Sequence, residues 1–408
     1  MTEDLTHPQP VCSDLTLPDV ILALGPDERH TSPSPKSSKN KSSCGLQAVE
    51  TDRTDWPCHK FILEMYSSYF SALFESEFRE YGSSIVFLPR GILSALALEG
   101  ILHIIYVDWI RAHPSLTIAP SFILFSEPSN HLEHLQDMYL AADYLGMPTI
   151  RTMLANRLSD AVHQISCYCP RCACRVPQLF SFTRTFAHTH VTLDRLTTLA
   201  LQLLTGDPEK AIPTFWVQQE LGRLLLLSPD LHEQMSQILI GCLNKCNAIE
   251  TLHACYTALV SLDSEIESSP WHQPLRQTLR AVHFRVTGII AANFNFYCSE
   301  YPTLLSCIDG INYSFAFLDY LLQQVLEEQM DHSNAGLLYQ GIVRHLRTRR
   351  SVPHCMEVSA ILEKARAMVV SFIAQELSEM RKLGTLNKYD TPTLEILAQG
   401  ISWCQFVC

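Results

Sequence analysis

Two hydrophobic periods alternate in the first part of the chain, and only one continues after it. Val20-Ile21-Leu22-Ala23-Leu24, entered from Pro18-Asp19, is an unbroken apolar run of strand length. From Cys58 to Phe74 the apolar positions Phe61, Ile62, Met65, Tyr69, Phe70, Leu73 and Phe74 recur at helical spacing. Ser84-Ile85-Val86-Phe87-Leu88 reads as a second strand, closed by Pro89. Residues 93–107 predict a helix carrying Leu96, Leu98, Ile101, Leu102, Ile105 and Tyr106, and further helices are predicted over about 131–145 and 148–164. Two stretches fit neither period. Residues 26–45 are rich in Pro, Ser and Lys with no apolar face, which predicts an unstructured surface insertion. Residues 111–130 are interrupted by Pro114, Pro120 and Pro128 around the apolar patch Phe122-Ile123-Leu124-Phe125.

Beyond Ala187 the period is helical almost throughout. Leu318, Leu321, Leu322, Val325 and Leu326 fall on one face of a helix. Gly206-Asp207-Pro208, Ser228-Pro229, Ser269-Pro270, Tyr301-Pro302, Val352-Pro353 and Thr391-Pro392 predict the breaks. The segments between them suit helix pairs, but no repeated signature marks a named solenoid family. The expected organisation is a flexible N-terminus at 1–16, an α+β domain at 17–165, a cysteine-rich hinge at 166–190 and an all-α helical domain at 191–408.

Bulk numbers narrow the function classes. With 408 residues and 47% hydrophobic positions the chain can bury more than one core. A formal net charge of −12 repels nucleic acid and anionic membranes, so neither is an expected partner. The longest apolar run, Ala95 to Ile110, is interrupted by Glu99, His103 and Asp108, too polar for a membrane span. The opening MTEDLTHPQP lacks the basic-then-apolar pattern of a secretory signal, so a cytoplasmic or nuclear location is expected. The 15 cysteines are then expected as reduced thiols.

Specific residues sharpen the N-terminal reading. His59-Lys60, Ile62-Leu63, Ser68-Tyr69-Phe70-Ser71-Ala72-Leu73-Phe74 and then Phe78 and Glu80 follow one another. Ile85-Val86-Phe87-Leu88, Leu102 with Ile105-Tyr106, and Leu140-Ala141-Ala142-Asp143-Tyr144-Leu145 complete the series. In this order and spacing they resemble the BTB/POZ domain family over about residues 17–165, with Asp19-Val20 fitting its first strand. The resemblance implies an α+β domain that self-associates, or docks on a cullin-type ubiquitin-ligase scaffold, and presents a partner-binding module. The chain departs from the family pattern in the long insertion after the first strand, at Tyr106-Val107-Asp108-Trp109-Ile110, and in the extended connection 111–130. Neither kelch-like repeats nor classical zinc fingers follow.

The chemistry-bearing residues are few. Cys167, Cys169, Cys172 and Cys174 form C-x-C-x₂-C-x-C, four soft thiols that could ligate zinc. Spacing so tight strains closure around one metal, so an alternative draws one cysteine pair together with His188 or His190. His59 and Asp143 are expected to be structural. His232-Glu233 lacks the second histidine of a zincin helix, and neither a nucleophile elbow nor a phosphate loop is present, so no enzyme is expected. The resemblance, together with apolar helix surface at Ile62, Met65 and Tyr66, implies a homodimer, and Phe122 and Phe125 in the long connection are the further interaction candidates. The leading function is a protein–protein adaptor. A nuclear transcriptional or chromatin scaffold, dependent on the basic run Arg347, Arg349 and Arg350, is the alternative.

Overall fold

The computed structural model describes residues 17–25, 55–75, 82–113, 131–187, 191–264 and 269–385, with 394 and 398. The insertion at 26–45, Phe78, Glu80, Phe122, Phe125, His188, His190 and the break at Thr391-Pro392 lie outside the described residues. The chain forms two compact units, one holding residues up to Ile165 with Phe182–Leu196, the other Ser166–Ser181 and the chain from Thr197 onward.

The first unit is built on a three-stranded sheet of order β2-β1-β3, from β1 (Val20–Leu24), β2 (Asp55–Cys58) and β3 (Ile85–Leu88). β1 runs antiparallel to β2, with Leu22 opposite Trp56, and parallel to β3, with Leu22 opposite Val86. The pleat sends Val20, Leu22, Leu24, Trp56, Cys58, Val86 and Leu88 into the core, while Ile85 and Phe87 face outward. β2 is absent from the sequence reading, and within it Pro57 removes a ladder donor. An edge strand tolerates that loss, and β2 is an edge.

Five helices complete the unit: α1 (Lys60–Tyr66), α2 (Ser68–Phe74), α3 (Ala95–Ala112), α4 (Leu132–Tyr144) and α5 (Pro148–Ala161). The apolar period from Cys58 to Phe74 is thus split in two. Ser67, extended at φ −135° and ψ 118°, ends α1 and caps α2, its Oγ accepting from the Phe70 N–H at 3.1 Å and donating to the Leu145 carbonyl at 2.6 Å. The turn carrying Leu145 needs a glycine next: Gly146 has φ +63°, and a Cβ there would meet Ser68 Oγ at 2.2 Å. Asp19, just before β1, closes the other end of α1 by accepting from the Lys60 N–H at 2.8 Å.

The stretch read as a hinge instead holds a helix, α6 (Pro170–Phe186), and α7 (Val191–Thr205) follows. Pro170 sits at the first helical position, where its missing N–H costs nothing. The rest of the described chain is helical: α8 (Pro208–Phe215), α9 (Gln219–Leu227), α10 (Pro229–Gly241), α11 (Ala248–Ser264), α12 (His272–Ala292), α13 (Phe294–Ser299), α14 (Phe315–Gln329), α15 (Ala335–Gln340), α16 (Met356–Gln375) and α17 (Leu377–Lys382). α11 packs on α8 and α12, α12 on α14, α9 and α10, and α14 on α16, so each long helix buries its stripe against several others. Trp216 is fully buried and donates its indole N–H to the Leu204 carbonyl at 2.9 Å. A π-helical turn at Gly341–Leu346 interrupts the end of α15, and Phe294 presses so close to Gly341 that a Cβ would lie 2.6 Å from its ring. Among the described residues no helix is long and apolar enough to cross a membrane.

Candidate functional sites

A recess of the first unit lies between α3 and α5, a cleft of about 250 Å³. Tyr66 from the end of α1 closes one side and donates its hydroxyl to Asp108 at 2.8 Å. Burial, followed by that carboxylate, pushes the Tyr66 phenol well above its ordinary value, so the ring stays neutral. Arg111 and Arg157 line the same cleft beside Met153, and neither makes an ion pair among the described residues. The cleft therefore presents two guanidinium groups, His103 and one engaged carboxylate beside the apolar Val107 and Met153, a mixed lining suited to a protein surface carrying acidic groups.

The interaction residues expected on α1 separate. Ile62 is fully buried under the helix and packs in the core, which removes it as a docking residue. Met65 is 52% exposed and Phe61 41%, so the outward stripe of α1 is Phe61 and Met65. Tyr66 is half-buried at the cleft. His59 and Asp143 are tied into the fold. Tyr106 Oη accepts from the His59 backbone N–H at 2.8 Å and lies 3.1 Å from His59 Nδ1, both groups being buried. Asp143 pairs with Arg151 at 2.6 Å.

Residues 37–161 match the family model of the BTB/POZ domain. The chain carries a BTB/POZ domain. Among curated proteins, none matches this chain. The match begins after β1, yet β1 is the central strand on which both β2 and β3 pair, so the BTB sheet is completed by residues outside the matched span. BTB/POZ domains are protein-interaction domains, and that is the role this domain supports.

The second site is a cluster of sulfur and nitrogen donors. Side-chain donor atoms of His163, Cys167, Cys169 and Cys172 all lie within 4.8 Å of one another. These ten residues are one continuous stretch whose geometry comes from its own successive turns. His163, Gln164 and Ile165 have φ of 51°, 56° and 55°, three consecutive non-glycine residues in the left-handed region. The chain then enters α6, where the Cys169 carbonyl accepts from the Cys172 N–H at 2.9 Å and the Ala173 N–H at 3.1 Å. The Cys172 backbone N–H, with the Cys167 and Cys172 side chains, pulls the Cys169 thiol down to about 6. Burial first, and then the neighbouring sulfurs, pushes Cys172 up to about 12.

Cys174 does not join them. Cys172 and Cys174 are two residues apart on α6, about 200° around the helix, and the Cys174 thiol turns back to the Arg171 carbonyl at 3.7 Å. The donor cluster thus holds three of the four cysteines of the sequence pattern together with a histidine. The signal was present as H-x₃-C-x-C-x₂-C, but it lies upstream of the cluster rather than downstream, where a histidine was sought.

The basic run is engaged in the fold. Arg349 donates to the Cys298 carbonyl at 2.6 Å and reaches the Tyr301 carbonyl at 3.4 Å, and Arg347 pairs with Glu363 at 3.2 Å. Two of its three arginines serve the packing of the helical unit, which weakens the case for an exposed basic patch.

Proposed function

We propose that this protein is an interaction adaptor whose BTB domain docks on a partner through the α3–α5 cleft, while the helical unit holds a recruited protein. The observation that carries the reading is the juxtaposition of Arg111 and Arg157 with Tyr66 and Met153 in one recess of a protein-interaction domain. A cullin-type ubiquitin-ligase scaffold is one partner class that the family resemblance implies. Self-association is the other, and the exposed Phe61–Met65 stripe of α1 favours it.

The test is capture of the full-length chain by an immobilised cullin N-terminal domain, with light scattering of the chain alone. Wild type binds, and Arg111→Glu/Arg157→Glu loses binding while its circular dichroism and melting stay unchanged. Equal binding by wild type and the double variant removes the cleft from the interface. Absence of cullin binding, with a dimer that Met65→Lys dissociates, moves the function to self-association. A monomer that captures no cullin overturns both forms of the reading.

A further inference from the structure

We propose that His163, Cys167, Cys169 and Cys172 form a structural zinc site, with Cys174 outside it. Each residue offers one donor atom, and the four atoms already lie within 4.8 Å of one another. Tetrahedral zinc with Zn–S near 2.3 Å sets its sulfurs about 3.8 Å apart. Small side-chain rotations close that gap with the backbone in place. Three thiolates and an imidazole are the borderline-soft set that zinc takes in structural sites, with no position left open for substrate.

Two features of the backbone make this arrangement more than crowding of cysteines. The left-handed turn at His163, Gln164 and Ile165 is a conformation that L-residues avoid, and three in succession need compensation from their surroundings. Ile165 supplies part of it by burying its side chain to 5% exposure. A bond from His163 to a metal held by α6 supplies the rest. The other end is fixed as well: Tyr168, between two of the ligands, reaches Asp207 at 3.4 Å and has the Lys210 ammonium 5.9 Å from its ring centre. Cys172 stands on the first turn of α6 and is fully buried, so its thiolate is shielded from solvent once bound. Ligands thus come from a reversed turn on one side and a helix start on the other, the two directions that a run of four closely spaced cysteines lacks.

The proposal is independent of which partner the BTB domain binds. Full-length protein purified without added metal or chelator, analysed by elemental mass spectrometry, carries close to one zinc per chain. Cys174→Ser keeps it, Cys169→Ser and Cys172→Ala lose it, and His163→Cys retains it where His163→Ala does not. Cobalt(II) added to zinc-stripped wild type gives the strong visible bands of a tetrahedral thiolate site, and zinc bleaches them. Should Cys172→Ala fail to fold, the partly exposed Cys169→Ser and the cobalt titration of wild type still decide. Metal-free wild type that takes up no cobalt overturns the proposal. So does zinc lost equally from Cys174→Ser, or a disulfide joining two of the three cysteines in protein isolated under thiol-blocking conditions.

Discussion

The BTB domain and the helical unit bury the same kinds of side chain, but their backbones find hydrogen-bond partners over different distances in the chain. β1 pairs with strands that follow it across long intervals, Val20 opposite Cys58 and Ile21 opposite Ile85. The domain's polar ties are as remote: His59 to Tyr106, Ser67 to Leu145, Asp19 to Lys60. In the helical unit the backbone satisfies itself within each helix, while packing and side-chain ties reach as far along the chain as in the BTB domain, α11 packing on α8 as well as α12 and Tyr297 donating to the Lys245 carbonyl at 2.6 Å. The difference teaches why one region carries a readable motif and the other does not. A strand must find its hydrogen bonds on another segment, so specific side chains are needed where the segments meet. A helix needs only an apolar stripe of the right width, which many sequences supply.

Core truncations give the largest effects and break the comparison if it is wrong. Trp216→Ala empties a fully buried site and orphans the Leu204 carbonyl, and it should cost about 3–5 kcal/mol. Leu22→Ala on the central strand should cost about 2–5 kcal/mol, with loss of hydrogen-exchange protection in β1, β2 and β3 together. If protection is lost in β1 alone, the two ladders are not one cooperative element.

A smaller change tests the remote polar ties. Tyr106→Phe leaves the buried His59 N–H without its acceptor and should lower stability by about 1–3 kcal/mol, read from the denaturant midpoint. A neutral result would make the aromatic packing, rather than the hydrogen bond, the reason for a tyrosine there.

Acid probes two histidines of the helical unit. Burial lowers the pKa of His253 and His283 in the helical unit, in His283 against an opposing pull from Glu328. Their native rings stay neutral where the unfolded chain, titrating near 6.5, takes up protons. The unfolded state binds more protons, so stability is present above that value and is lost as pH falls through it toward the lower native pKa. His253→Gln should flatten the fall in urea midpoint between about pH 7.5 and 5.5. An unchanged slope would assign the acid limb to other groups, among them His134 of the BTB domain, also lowered by burial.

The smallest effect belongs to the surface. Lys364 bridges α16 to Asp319 of α14 at 2.9 Å, with both side chains well exposed, and Lys364→Ala should change stability by less than about 1 kcal/mol. A larger loss would mean that these helices depend on charge as well as on their apolar stripes.

The amino-acid sequence by itself determined the element types. Short unbroken apolar runs marked β1 and β3, the helical period marked α3 to α5 and most of the chain beyond them, and the His59-to-Leu145 series pointed to the BTB fold. Those features are local, repeated every few residues, and visible without knowing what packs where. Everything that depends on the partner surface was decided only in three dimensions. Pro57 could enter a strand because that strand lies at the sheet edge. Ser67 could split an apolar run because the Leu145 carbonyl waited beside it. Ile62 went inward and Met65 outward because the core takes up only part of the apolar surface that α1 offers. His163 came beside Cys167, Cys169 and Cys172, and Cys174 was turned away, because a left-handed turn and the pitch of α6 set where each donor lands. Periodicity fixes which residues share a face of an element, but which face meets the core, and which distant group completes a site, follows from burial that only the assembled fold defines.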